Sequence, residues 1–193
     1  NLYGFNGSGQ KVMTNSYPNA ATRIETYFKD GNLEEVSGTG AYPVRYESGV
    51  ESEGGTQREF TKEIRLTSTG GTKEWSKSYL DMVGRTYKTV FPDTSYRQSY
   101  YNNRGQLEKE VDEDGVTTLY KYNDLGELED TAIDVNQNGT IDYSGTDRIT
   151  RNVRDYTASP DLRRTRTYAW NADGVDTSLL ISTTESSTDG LQS

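Results

Sequence analysis

Apolar and polar positions alternate in short runs along this chain, and Gly, Asn and Asp separate the runs. No segment keeps the i, i+3, i+4, i+7 apolar spacing of an amphipathic helix over three turns. The pattern therefore predicts an all-β protein, with longer strands over residues 22–28, 42–47, 58–67 and 72–80. The clearest period of two lies in residues 116–122, where one strand face consists of Val116, Thr118, Tyr120 and Tyr122.

A repeat of 21 residues orders this pattern between residues 79 and 126. Each copy consists of a large apolar residue, an Asp or Asn, two free positions and a Gly. A second turn signal lies midway between copies, Pro92-Asp93 in one interval and Asp114-Gly115 in the next. These signals favour tight turns because Gly tolerates positive φ and an Asn or Asp side chain can bond its own backbone. Successive hairpins then predict one antiparallel meander, in which each unit packs against its neighbours. The copies are residues 80–84, 101–105 and 122–126.

Further copies of the turn stand near both ends of the chain, at residues 5–9 and 170–174. No linker divides the sequence, so we expect residues 1–193 to form one elongated array, with strict repeats over about residues 79–133. The chain has no initiator Met and begins inside a repeat-like motif, which indicates a piece of a longer polypeptide.

Two of these copies resemble the YD repeat of the RHS family: residues 120–128 (Tyr-Lys-Tyr-Asn-Asp-Leu-Gly-Glu-Leu) and residues 100–107 (Tyr-Tyr-Asn-Asn-Arg-Gly-Gln-Leu). The family core reads roughly Tyr-x-Tyr-Asp-x-x-Gly-Arg-Leu. In this chain Asn replaces Asp in most copies, and Leu80 replaces the aromatic residue in one. The resemblance implies a curved or spiralling sheet, which encloses a toxic domain in bacterial RHS toxins and serves adhesion in animal teneurins. Neither the family's self-cleaving core nor a toxin tip is recognisable in this sequence.

Composition adds that the core of this sheet is thin. Apolar residues make up only 31% of the chain, yet it contains 15 Tyr, four Phe and two Trp. Tyrosine combines a large apolar ring with a polar end, which suits a sheet with one wet face. Disordered chains lack such aromatic residues, so we expect ordered β structure.

The charge balance and the missing residue types exclude several function classes. A formal net charge of −9 disfavours nucleic acid as a partner, because phosphate binding needs a basic patch. The arginines between residues 148 and 166 are expected on solvent-facing strand positions, paired with acidic neighbours. Cys and His are both absent, which removes disulfides, thiolate nucleophiles, His-based triads and Cys or His zinc sites. No run approaches the ~18 apolar residues of a membrane span.

One segment after the last repeat resembles the calcium loop of EF-hand and dockerin proteins. Oxygen-bearing side chains stand at positions one, three, five and nine of residues 134–142, Gly at position six and Ile at position eight. Position twelve, usually a bidentate Glu, is Gly145, and Asp147 is the candidate replacement if the loop extends over residues 134–147. The alternative is an Asn-Gly-rich loop that binds no ion. The candidate Ca²⁺ ligands are Asp134, Asn136, Asn138, the Thr140 carbonyl, Asp142 and Asp147.

These observations favour a structural module of a large secreted or cell-surface bacterial protein, acting as shell wall or assembling into extracellular fibre through its sheet edges. A glycan-binding or cell-surface adhesion module, or part of a toxin-encapsulating RHS cage, is the alternative. An enzyme is disfavoured. Carboxylate pairs such as Glu108 with Glu110 could serve a glycosidase, but with 30 acidic residues some pairs arise by chance.

Overall fold

A computed structural model of the protein describes residues 2–158, 161–170 and 177–187. The described residues form fifteen strands and no helix, and each strand pairs antiparallel with its neighbours in chain order. The predicted all-β antiparallel meander is therefore confirmed. The first eight strands are β1 (Leu2–Phe5), β2 (Lys11–Ser16), β3 (Thr22–Tyr27), β4 (Leu33–Ser37), β5 (Val44–Glu53), β6 (Thr56–Leu66), β7 (Thr72–Leu80) and β8 (Thr86–Val90).

The remaining strands are β9 (Tyr96–Tyr101), β10 (Leu107–Val111), β11 (Thr117–Tyr122), β12 (Leu128–Ile133), β13 (Arg148–Ala158), β14 (Asp161–Trp170) and β15 (Ser178–Ser187). The chain divides into two compact units, Asn1–Tyr96 and Arg97–Ser193. We refer to them as the N-unit and the C-unit and describe each by itself. The predicted turn over residues 170–174 lies almost wholly outside the described residues.

The repeated turn closes through its own side chain, as the sequence predicts. The Asn102 carboxamide oxygen accepts hydrogen bonds from the backbone N–H groups of Arg104, at 2.9 Å, and Gln106, at 3.0 Å. The backbone N–H of Gly105, in turn, donates to the Asn102 carbonyl at 2.8 Å. An Asp makes the same bonds as an Asn, so the exchange of Asp for Asn leaves the turn intact. The same pair of side-chain bonds recurs at Asn6, Asp81, Asp112 and Asn123.

In the N-unit the longest ladder joins β5 to β6, and it extends the strand predicted over residues 42–47 as far as Glu53. Gly49 lies in the middle of β5 and pairs with Phe60 of β6. A Cβ at position 49 would lie only 3.2 Å from the Phe60 ring. Here a glycine makes room for a cross-strand ring. The buried apolar side chains of this unit are Val36, Ile64, Leu66 and Tyr79.

In the C-unit the buried core lies on one face of β11, β12 and β13. Leu119, Ala132 and Ile149 are directly opposite one another in these strands, and all three are buried. Strand β11 begins at Thr117, so Val116 of the predicted strand face belongs to the preceding turn. The core side chain of β11 is Leu119, on the face opposite Tyr120 and Tyr122. Ile141, Tyr143 and Trp170 pack against the same cluster. The connection between β12 and β13 therefore folds over the sheet and covers this core.

Candidate functional site: the loop between β12 and β13

The candidate calcium loop is the connection between Ile133 and Arg148, and an aspartate fixes each of its ends. Asp134 and Asp147 are only 4% and 6% exposed. The backbone N–H of Asp134 donates to the Thr117 carbonyl at 2.9 Å, which ties the start of the loop to β11. The Asp147 carboxylate accepts the backbone N–H groups of Val135, at 3.0 Å, and Asp142, at 2.9 Å. Asp147 thus binds both arms of the loop.

The first half of the loop turns around the Asp134 carboxylate. One carboxylate oxygen accepts the backbone N–H of Asn138 at 3.1 Å, and the other accepts that of Gly139 at 2.8 Å. The backbone enters the left-handed region at Gln137, with φ 59°, and at Gly139, with φ 78°. This sharp turn brings alternate side chains to one side, as the predicted calcium-loop spacing requires.

The Asp142 carboxylate faces the two candidate amide ligands. Its Oδ2 accepts hydrogen bonds from the side-chain amide groups of Asn136, at 2.7 Å, and Asn138, at 2.6 Å. The oxygen of Asn138 instead accepts both the backbone N–H and the hydroxyl of Thr140, each at 2.8 Å. To coordinate a cation, these amides would have to turn their oxygens inward, which is a rotation about the last side-chain bond.

Gly145 explains why position twelve carries no Glu. A Cβ at this position would lie 2.7 Å from the Cβ of Asp142, and no side-chain contact is that short. The backbone N–H of Gly145 also donates to the Asp142 carbonyl at 3.0 Å. Position twelve is therefore closed to any side chain in this conformation, and Asp147 is the next carboxylate along the chain.

The loop thus brings the predicted residues close together through hydrogen bonds. Within the described ranges, no three Asp, Glu, His or Cys side chains form a metal-binding cluster. The six candidate calcium ligands comprise three carboxylates, two side-chain amides and one backbone carbonyl. The ligand assignment therefore remains a prediction. Asn136, Asn138 and Thr140 are exposed, and Asp142 is half-buried.

A buried carboxylate on β12 lies under the far end of the same loop. Asp130 is fully buried, and it accepts two hydrogen bonds from the Arg151 guanidinium, at 2.6 and 2.8 Å. The Tyr143 hydroxyl donates to it at 2.5 Å, and the Lys121 ammonium lies 3.7 Å away. Burial alone raises the pKa of Asp130, but the bonds from Arg151 and Tyr143 outweigh it and bring that pKa below its usual value. This carboxylate is therefore ionised and paired.

Tyr143 holds the loop to this network through its ring as well as its hydroxyl. Its ring centre lies 5.3 Å from that of Trp170, and the Arg151 guanidinium lies 5.3 Å from the Tyr143 centre and 5.2 Å from that of Trp170. Sequence reasoning missed Asp130 and Tyr143. It expected Arg151 on the solvent face, whereas the Arg151 guanidinium binds the fully buried Asp130. The available signal was an aspartate inside a strand, flanked by residues that alternate in polarity, and that signal is weak among 30 acidic residues.

The expected pairing of the β13 and β14 arginines with acidic neighbours is found for Arg154, Arg164 and Arg166 in addition to Arg151. Arg164 donates twice to Asp155, at 2.9 Å each, and Arg166 donates to the same carboxylate at 2.5 Å. These bonds lower the pKa of Asp155, with the Arg164 guanidinium as the largest cause. An anion would have to displace Asp155 to reach these two arginines.

Comparison with known proteins gives no functional assignment: no family model matches this chain, and no curated protein matches it. In the described part of the chain, no helix is long and apolar enough to cross a membrane. Membership of the RHS family therefore stays a prediction from the residues of the repeat.

Proposed function

We propose that this chain is a structural β-sheet module of a large secreted or cell-surface bacterial protein of the RHS/YD type, forming shell wall or extracellular fibre. The observation that carries this proposal is the strand order, because every described strand pairs only with its neighbours in the chain. Such a meander extends by adding hairpins and needs no long-range connection. Its two terminal strands, β1 and β15, each have one strand neighbour among the described residues.

The terminal strands also carry the apolar side chains that a further strand would cover. Leu2, Tyr3 and Phe5 of β1 are exposed, and so are Leu179, Leu180 and Ile181 of β15. A strand with unpaired backbone groups and exposed apolar side chains pairs readily with another strand. The partner is either the next repeat of a longer polypeptide or a second copy of this chain.

Sedimentation at increasing protein concentration tests assembly through these strands. We expect concentration-dependent species larger than the monomer, and we expect Tyr3→Lys combined with Leu180→Lys to suppress them, because lysine on an edge strand opposes pairing. Val83→Lys is the matched control, since Val83 is at least as exposed as Tyr3 and Leu180 but lies in a turn. A strictly monomeric protein at the highest concentration would reject self-assembly.

Calcium binding by residues 134–147 is the second part of this proposal. It is supported by the hydrogen bonds that Asp134 and Asp147 make to the backbone of one loop and by the left-handed turn of that loop. Two amides among the ligands lower the charge of the site, so we expect an affinity on the order of 10⁻⁴–10⁻³ M. Calcium at ten times its dissociation constant would then stabilise the C-unit by about 1.4 kcal/mol.

Thermal unfolding in calcium, in magnesium and in chelator tests this site. We expect calcium alone to raise the midpoint, and we expect Asp142→Asn to abolish the increase. Trp170 fluorescence is the appropriate signal, because Trp170 packs against the residues that the loop covers. An equal midpoint in calcium and in chelator would discard the site and leave an ion-free Asn-Gly loop.

The sequence that flanks this chain in its parent protein separates the remaining alternatives. A toxin-like segment after the repeats would favour a cage around cargo, whereas many further repeats would favour fibre or matrix. Hydrolytic turnover of oligosaccharides by the purified chain would instead revive the enzyme hypothesis.

A further inference from the structure

A concave site lies beside the loop of the C-unit, and neither the sheet architecture nor the calcium proposal accounts for it. Its volume is about 560 Å³, within the range of about 300–1,000 Å³ typical of ligand pockets. The floor is the face of β9, β10 and β11 on which Tyr100, Lys109 and Leu119 are consecutive cross-strand partners. The wall is the loop segment with Thr140, Ile141 and Tyr143.

Two lysines give the site a positive character that is unusual in a chain of net charge −9. Lys109 extends over the Tyr100 ring, with its ammonium 4.1 Å from the ring centre, and no carboxylate of the described residues pairs with it. Lys121 lies two residues from Leu119 on the same strand face, and its side chain is about half exposed. Each ammonium has three donors, so both lysines keep donors for a ligand.

Asp130 is the carboxylate nearest to Lys121, at 3.7 Å, and it is fully buried. It also accepts two hydrogen bonds from the Arg151 guanidinium, so these three groups together keep one net positive charge. Lys121 also donates to the Tyr143 hydroxyl at 3.1 Å, which positions its ammonium at the cavity wall. Glu108 is the single acidic residue in the lining, all of which is described, and its exposed carboxylate opposes anion binding.

We infer that this cavity binds an acidic saccharide, with the sugar carboxylate between Lys109 and Lys121. Ile141, which is half-buried, and the edge of the Tyr100 ring supply apolar surface for a sugar ring. The Tyr100 hydroxyl, which has no hydrogen-bond partner among the described residues, and the two ammonium groups supply donors for its hydroxyls. A charged hydrogen bond in a half-enclosed site is stronger than a neutral one, which explains the preference for an acidic sugar over a neutral one.

Titration of the whole chain with trigalacturonic acid, with maltotriose as the neutral probe, tests this inference by calorimetry. Because uronates bind calcium themselves, the titrations are done in chelator, so the result does not depend on calcium binding by the loop. We expect binding of the uronate but not of maltotriose. We expect Lys109→Gln and Lys121→Gln each to weaken it about tenfold, and Glu108→Gln to strengthen it about threefold by removing a like charge.

Lys73→Gln is the matched control, since Lys73 also extends over a tyrosine ring, that of Tyr42, at 5.8 Å, but in the N-unit. This variant should bind as tightly as the wild type. Tryptophan fluorescence of each variant checks that its fold is retained. No uronate binding by the wild type, equal binding of maltotriose, or binding unchanged in both cavity lysine variants would each overturn the inference.

Discussion

The strands β5–β7 of the N-unit and β11–β13 of the C-unit are built from the same antiparallel hairpins, yet they bury their side chains differently. In the N-unit, Glu51 on β5 accepts hydrogen bonds from Lys77 and Tyr79 of β7, each at 2.5 Å. The Lys77 ammonium also lies 4.1 Å from the centre of the Phe60 ring. Long amphipathic side chains thus cover one another on the sheet surface.

In the C-unit a connecting loop provides the cover. Ile141 and Tyr143 pack on Leu119, Ala132 and Ile149, and Asp130 beneath them is fully buried. Both units bury apolar side chains, since Val36, Ile64, Leu66 and Tyr79 of the N-unit are also buried. The comparison teaches that a connection that folds back over a sheet adds a contiguous apolar cluster and a fully buried carboxylate, whereas the carboxylate of Glu51 keeps part of its surface in water and contributes less.

The two tryptophans allow the two regions to be followed separately. Trp75 lies on β7 and Trp170 on β14, and the sequence contains no third tryptophan. Trp75→Phe therefore leaves a fluorescence signal from the C-unit alone, and Trp170→Phe leaves one from the N-unit alone. The stability predictions below use these two backgrounds with chemical denaturation.

The largest effect is expected for Asp130→Asn. The substitution removes the charge that neutralises Arg151 in a buried site, which we expect to cost about 3 kcal/mol of unfolding free energy in the C-unit. The matching change in the N-unit, Glu51→Gln, should cost less than about 1 kcal/mol because the Glu51 side chain is partly solvated. Equal losses in the two units would show that the buried carboxylate is no more important than the exposed one.

Ile141→Ala tests the loop as a cover. Removing this side chain from the Leu119–Ala132–Ile149 cluster should lower the unfolding free energy of the C-unit by about 2 kcal/mol. Val135→Ala in the same loop should change it by less than about 0.5 kcal/mol, since Val135 is 48% exposed. If both variants behave alike, the loop does not stabilise the core.

Tyr79→Phe tests the cross-strand pairs of the N-unit through pH. Burial and the hydrogen bond to Glu51 raise the pKa of Tyr79 to about 12, from 10.0 in the unfolded chain. A raised pKa stabilises the fold fully below pH 10, and this contribution is lost as the pH rises from 10 to about 12. We expect the variant to lose about 1 kcal/mol at pH 8 and to show a flatter decline between pH 10 and 12.

Tyr42→Phe is the control for the alkaline titration, because Tyr42 is 68% exposed. Its unfolding free energy should follow that of the wild type at every pH. A wild-type unfolding free energy that declines no more steeply than that of Tyr79→Phe between pH 10 and 12 would contradict the role of the Glu51 bond.

The smallest effect is expected at a turn of the N-unit. Thr94 takes the place of the usual Gly with φ 71°, a conformation that a β-branched residue adopts only under strain. Thr94→Gly should therefore raise the unfolding free energy by about 0.5 kcal/mol. Gly84→Ala, at the matching position of the preceding turn, should lower it by about 1 kcal/mol, since φ is 81° and no neighbouring atom lies within 4 Å. A loss of stability in Thr94→Gly would contradict the strain.

Much of the fold could be predicted from the sequence because its turns are local. Asn102 and Asp81 bond backbone groups two and four residues ahead, so each turn is encoded in five consecutive residues. The strand predicted over residues 72–80 has the same bounds as β7. The turn predicted from Pro92-Asp93 is confirmed, because the backbone N–H of Thr94 donates to the Phe91 carbonyl at 3.0 Å. What the sequence did not indicate is the positive φ of Thr94, where other turns have Gly.

The candidate site also has one part that the sequence predicts and another that it does not. The spacing from Asp134 to Asp142 identified the loop, and the bonds from Asp134 to Asn138 and Gly139 are again local. That Ile141 covers Leu119, or that Lys109 and Lys121 line one cavity, depends on strands that are distant in the sequence. No spacing rule reports such contacts.

The sequence by itself thus determined the hairpins, their order and the position of the long connection between β12 and β13, because short polar side chains select each turn within a few residues. Only the tertiary structure decided which face of β11 is dry, since alternation marks two faces without telling which one a loop will cover. Burial of Asp130 follows from that choice, and so does the cavity beside Lys109.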